Sequence, residues 1–173
     1  MAGQLNAFID ESKRPGKYII CAATIATGDV AATRSVLEAL RPRGSRRIHM
    51  KSVDKPLPII DAVAELDAHS HLFVVTKSRS ERQARNAALG AAVLTLSELQ
   101  VTRVRIESCD QDEEDRRIIH EALAGRAEMD YDHELPSSGN PLLWLPDIHA
   151  WAWGRGSHFR KKLTHRMTVH YIP

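Results

Sequence analysis

Leu5-Asn6-Ala7-Phe8-Ile9-Asp10-Glu11-Ser12, followed by Lys13-Arg14-Pro15-Gly16-Lys17 and the run Tyr18 to Ala26, is the stretch on which the fold turns. Leu5 to Ile9 is a short apolar strand ending in two acids. Pro15-Gly16 then breaks the pattern as a hairpin turn, because proline presets φ and glycine tolerates positive φ. Tyr18 to Ala26 is almost continuously apolar, the pattern of a strand covered on both faces.

Outward from this hairpin the chain alternates helices and strands. Gly28-Asp29 precedes a helical pattern through Val30, Val36, Leu37 and Leu40, stopped by Pro42. Ile48 to Lys51 is a short strand or a loop. Ile59 to Ala68 has apolar residues at helical spacing, and Leu72 to Thr76 is a buried strand. Ser80 with Gln83 has the capping-box pattern and opens an Ala- and Leu-rich helix to Gln100. Val101 to Glu107 is a strand and Asp112 to Ala124 a helix. After Met129-Asp130-Tyr131 and the loop Pro136 to Asn140, a last helix is expected from about Pro146 into the 160s. Two strands joined by a hairpin and then alternating elements imply an α/β fold: a mixed sheet flanked by helices in a single domain. The expected division is a domain over 1–155, with 156–173 a basic extension of the last helix and a tail.

The 173 residues suffice for one domain with a proper core. Hydrophobic residues make up 43% and charged residues 27%, with a formal charge of +2, so overall charge does not decide for or against a polyanion. No apolar run approaches the roughly 20 residues of a membrane span, and the segment Met1 to Asn6 lacks signal-peptide character. Cys21 and Cys109 form no C-x-x-C pair and read as reduced thiols of a cytoplasmic protein. The nine histidines show no zinc spacing, and no glycine-rich phosphate loop or G-x-S-x-G elbow is present.

The chemistry-bearing pattern is acidic. Divalent magnesium or manganese takes hard oxygen ligands, with phosphate and water completing the shell. Asp10 ends one strand, Glu107 ends another with Asp110 three residues on, and Asp147 opens the last helix. Each also has a plain structural role: Asp10 as a turn acid, Asp110 as a helix cap, Asp147 as a first-turn acid favoured by the helix dipole.

Phe8-Ile9-Asp10-Glu11-Ser12 resembles the F-I-D-E-S-G opening of domain-of-unknown-function family 3800, a bacterial and phage family of predicted ribonuclease-H-like proteins. His49-Met50-Lys51-Ser52 resembles that family's lysine element. Val104-Arg105-Ile106-Glu107 with Asp110 resembles its central acidic strand, and Leu143 to Ala152 its closing L-x-x-A-D-x-x-A-x-A helix. The resemblance runs from Phe8 to about Arg155. Lys13 stands where the family often has Gly, Glu107 where Asp is common, and Pro146 where a small residue precedes Asp147.

The resemblance implies a ribonuclease-H-like site in which Asp10, Glu107 and Asp147 converge, with Glu11 or Asp110 as a fourth member. Such a site would hold Mg2+ or Mn2+ for phosphodiester hydrolysis. Lys51 is the candidate phosphate contact or transition-state cation; its other reading is a solvated surface lysine. On one continuous helix, Asp147, Trp151, Arg155, His158 and Lys162 share a stripe suited to a nucleic-acid groove, with a base on Trp151. Trp144 and Trp153 read as core, and His149 as a partly buried structural histidine. Two basic clusters, Arg41, Arg43, Arg46 and Arg47 and then Arg155, Arg160, Lys161, Lys162 and Arg166, add modest support for a polyanion. The expected function is a metal-dependent nuclease acting on RNA or DNA, with a catalytically silent binding module as the alternative. The alternative gains if the acids pair with Arg103 or Arg105. The segment from Gly156 onward is the expected place for exchange or pairing in a homodimer.

Overall fold

In the computed structural model, which describes residues 3–76 and 80–173, β1 (Leu5–Arg14) and β2 (Lys17–Ala26) form an antiparallel hairpin. Met1 and Ala2 of the opening segment lie outside the described residues. The turn is Pro15-Gly16, with Gly16 at φ +70°, and β1 therefore continues past its apolar stretch. Asp10 is not a strand end but a mid-strand residue opposite Cys21. Every residue of β2 from Tyr18 to Ile25 is buried, as a strand covered on both faces requires.

The remaining elements are α1 (Val30–Leu40), α2 (Pro56–Ala64), β3 (Ala68–Val75), α3 (Glu81–Glu98), β4 (Val101–Glu107), α4 (Asp112–Ala122), β5 (Asp130–Glu134), α5 (Trp144–Arg155), α6 (Ser157–Leu163) and β6 (Met167–Ile172). The sheet has six strands in the order β5-β4-β1-β2-β3-β6. β1 pairs parallel with β4, β4 with β5, and β3 with β6, whereas β2 is antiparallel to both its neighbours. This is the expected mixed sheet. The side chain of Ser80 accepts the N–H of Gln83 at 3.1 Å and starts α3. Ile48 to Lys51 is no strand: a 3-10 turn occupies Met50–Ser52.

Strand alternation divides the core into two layers. Ala7, Ile9, Ile20 and Ile106 pack against α3 and α4. Phe8, Ala23 and Ile25 pack against α1, α2 and α5. Trp144 and Trp153 are buried in the second layer and its neighbouring cluster, as their apolar settings suggest. No helix among the described residues is long and apolar enough to cross a membrane.

Beyond residue 155 the expectation of a helical extension and tail is corrected. Gly156 adopts φ 70°, ψ −162°, a region open essentially to glycine alone, and Ser157 follows at φ 55°. These two residues end α5 and redirect α6 so that Leu163 is buried in the α1/α2/α5 layer. Residues 167–172 then form β6 on the edge of the sheet, beside β3. The stretch read as an exposed pairing tail is thus engaged within its own chain. Gly156→Ala is expected to cost about 1–3 kcal/mol through backbone strain, read as a lower urea midpoint at unchanged m-value. A shift too small to measure would mean that this glycine does not set the break.

Candidate metal centre

Parallel pairing places Ile9 beside Ile106. One residue further, where β4 ends, Asp10 and Glu107 both face the α5 layer. Their carboxyls lie close enough to share a proton. Asp147 enters from the first turn of α5, and its charge acts on Asp10. The three acids expected to converge are therefore delivered by three separate elements to one end of the sheet.

Gathering these carboxyls in a largely buried place penalises charge. Burial, the Glu107 hydrogen bond and the negative charges of Glu107 and Asp147 push the Asp10 carboxyl up to about 9, against a partial offset from the Glu11 N–H. Burial also raises Asp147, opposed by the Met50 N–H and by the nearby His49 and Arg47. Burial pulls Glu107 upward too, but the Asp10 hydrogen bond and the Arg47 guanidinium outweigh it and hold Glu107 below its usual range. Burial and the two neighbouring carboxyls thus favour the protonated form of Asp10, facing Glu107. Such a set is a concentrated anionic site held at neutral pH by a proton and by cationic side chains. Hard oxygen donors from a rigid frame fit a divalent ion of the magnesium or manganese type.

One segment supplies the basic partners. Ile48 and Met50 are buried, and the alternate residues Arg47, His49 and Lys51 face outward. Arg47 Nη1 is 2.8 Å from Glu107 Oε1. His49 Nδ1 is 3.7 Å from Asp147 Oδ2, and the Met50 N–H donates to the same oxygen at 2.8 Å. Lys51 is exposed and has no ion pair among the described residues. Arg103 and Arg105 share the strand face of Glu107 but pair with Asp130, and Arg105 also with Glu134. The arginine on Glu107 is Arg47, which the sequence reading placed only in a basic cluster.

Two expected ligands are not brought to the set. Glu11 follows Asp10 and points to the opposite face, where Arg85 Nη1 lies 3.0 Å away and the Tyr18 hydroxyl donates to it. Asp110 is exposed in the loop before α4, caps nothing with its side chain and makes no contact with the three acids.

Asp147 opens onto a groove of about 690 Å³, lined also by Arg14, Lys51, Trp151, Arg155 and Phe159. Trp151 is half-buried, edge-on to Phe159 and 6.0 Å from the Arg155 guanidinium. The expected stripe holds from Asp147 through Trp151 to Arg155 and ends at the Gly156 break. His158 is exposed on α6 against Phe159. Lys162 is 2.7 Å from Asp61 of α2, so its charge faces α2. Much of the C-terminal basic cluster is likewise committed internally: Arg160 donates to the Trp153 carbonyl and Arg166 pairs with Asp67. His149 is fully buried on Ser70, and burial lowers its imidazole to about 3, which makes it a neutral packing residue.

On the other face of the sheet, Cys109, Asp112 and Asp115 place ligand atoms within 4.8 Å of one another, close enough for one ion. Their acceptors already have donors. Arg85 clasps both oxygens of Asp115 at 2.8 and 2.7 Å, with His133 Nε2 at 3.0 Å. Asp112 accepts from the Ser108 hydroxyl and the Cys109 N–H, and Cys109 Sγ from the Gln111 N–H. The Arg85–Asp115 pair joins residues 30 apart on two different helices. A signal existed: Arg85 lies on the apolar stripe of α3 with Ala84, Ala88 and Leu89, and Asp115 on that of α4 with Ile119. A charge on a buried stripe calls for a buried partner.

No family model matches the chain, and no curated protein matches it in sequence. Among solved structures, a chain in the PCNA:RNase HII complex from Archaeoglobus fulgidus is similar with a TM-score of 0.57 and 14% identity. The match covers 93% of this chain and 78% of that one. The fold is ribonuclease-H-like: a mixed six-stranded sheet flanked by helices in a single α/β domain. At this identity the likeness speaks for the fold alone.

Proposed function

We propose that this protein is a divalent-metal-dependent nuclease, or a related phosphodiester hydrolase, and a member of domain-of-unknown-function family 3800. The observation that carries the reading is the approach of Asp10, Glu107 and Asp147 from β1, β4 and α5, with Asp147 also lining a groove that holds cations and aromatic rings. Asp10, Glu107 and Asp147 would hold Mg2+ or Mn2+, which supplies Lewis-acid charge stabilisation at a phosphodiester. Asp10 must give up its proton for that role. The Met50 N–H and His49 fix the Asp147 carboxylate. Lys51, unpaired among the described residues and two residues beyond His49, would contact a phosphate. Trp151 offers a ring for a base, and Arg155 beside it a charge for the backbone of RNA or DNA. His158, on α6 beside Phe159, would add a further polar contact, whereas Lys162 faces Asp61 of α2. Two free cysteines suit a cytoplasmic setting.

A second reading has one observation in its favour. Glu107 is paired with an arginine, as a silent nucleic-acid-binding module would keep it, although that arginine is Arg47. Incubating labelled single-stranded, duplex and hybrid nucleic acids with Mn2+ separates the two. The wild type is expected to cleave at least one of them, with cleavage lost in Asp147→Ala while nucleic-acid binding persists. Binding without cleavage of any of them, and without calorimetric uptake of Mn2+, would hand the case to the binding module.

A further inference from the structure

Arg85 and Arg47 both pair with carboxylates, but in different ways. Arg85 is buried and its Nε and Nη2 meet both oxygens of Asp115, a fully engaged fork. Arg47 touches Glu107 through Nη1 alone, at 2.8 Å. Its Nε is buried with no hydrogen-bond partner. A planar guanidinium is shaped to hold two oxygens at once, so half of this fork stands unused while lying beside a candidate metal ligand.

The backbone of the segment is held, while part of the Arg47 side chain reaches the surface. Ile48 and Met50 anchor the segment in the core, and the Ser45 hydroxyl donates to the Arg47 carbonyl at 2.9 Å. The Arg47 side chain itself is 27% exposed and that of Glu107 13%. Its outward neighbours in the segment, His49 and Lys51, lie at Asp147 and the groove. A cation on Glu107 and a divalent ion at the same carboxylate repel each other. A substrate phosphate brought to such a site matches the two-pronged geometry of a guanidinium.

We propose that Arg47 neutralises Glu107 in the metal-free protein and turns to contact a substrate phosphate once a divalent cation is bound; this rests on the acidic set being a metal site. Arg47 thereby ties metal loading to substrate capture. It guards the carboxylate when no metal is present, and strengthens the hold on nucleic acid when metal is present.

The test is calorimetric titration of Mn2+ alone into the wild type, Arg47→Ala and Arg47→Lys, with melting curves confirming that each is folded. Affinity for a fluorescent single-stranded oligonucleotide is then measured in Ca2+. Without its competitor, Arg47→Ala is expected to bind Mn2+ about threefold to tenfold tighter, yet the oligonucleotide about threefold to tenfold more weakly. Arg47→Lys keeps the charge but not the fork, so it should bind Mn2+ like the wild type and the oligonucleotide more weakly. If Arg47→Ala binds Mn2+ no tighter than a metal-binding wild type, or binds the oligonucleotide equally well, the inference is overturned alone. If the wild type takes up no Mn2+, the metal-site reading falls and this inference with it.

Discussion

Asp10→Asn is expected to match the metal-free wild type in stability at about pH 4 and to exceed it at neutral pH, yet to abolish metal binding and to cut cleavage by roughly a thousandfold or more. Asn mimics the protonated carboxyl that burial, Glu107 and Asp147 impose on Asp10, and it cannot become a carboxylate ligand. The pH dependence follows from the same cause. Asp10 titrates near 9 in the folded chain against an ordinary value of 3.8, so folding favours its protonated form. That contribution to the stability of the metal-free fold is complete below about pH 4 and is lost as pH rises through about 9. Wild type minus Asp10→Asn should therefore show stability falling across this window. Metal uptake must expel the Asp10 proton, so Mn2+ affinity of the wild type should climb by about tenfold per pH unit below pH 9. Calorimetry at pH 6, 7 and 8 measures it. A flat profile would show that Asp10 is already ionised, or that the ion does not bind it.

The largest loss of stability is expected at the opposite face. Arg85→Ala leaves the fully buried Asp115 with His133 as its only side-chain donor among the described residues and strips Glu11 of its guanidinium. Removing one partner of a buried ion pair costs about 3–5 kcal/mol, which for a chain of this size lowers Tm by roughly 6–20 °C. The double variant Arg85→Met, Asp115→Leu should regain much of the loss, because replacing the whole pair removes the unpaired charge. Thermal unfolding followed by circular dichroism reads both. If the double variant is no more stable than Arg85→Ala, the cost lies in lost packing of the arginine stem and not in an orphaned charge. Because this network lies across the sheet from Asp10, metal affinity of the double variant should stay close to that of the wild type.

What the amino-acid order determined by itself was whatever a few adjacent residues decide. Pro15-Gly16 forces the hairpin, the unbroken run from Tyr18 to Ile25 demands cover on both faces, and Ser80 caps the helix that follows it. The acids at residues 10, 107 and 147 were recognisable from their positions near the ends of apolar elements, because metal chemistry needs oxygen donors on a rigid frame. Tertiary structure decided which groups meet. Alternation along β1 separates Asp10 from Glu11, but only the packing of α3 on that face gives Glu11 to Arg85. Arg47 and Glu107 are 60 residues apart, and no local pattern joins them. The stripe drawn beyond Arg155 failed at Gly156, where one backbone conformation outweighs the helical period. The polar alternation of residues 167–172 became β6 because the edge of β3 offered unpaired backbone groups, and backbone hydrogen bonding does not depend on side-chain hydrophobicity. Local conformational preference acts over a few residues. Partner choice among charges is settled by the sheet order and helix packing that bring distant segments together.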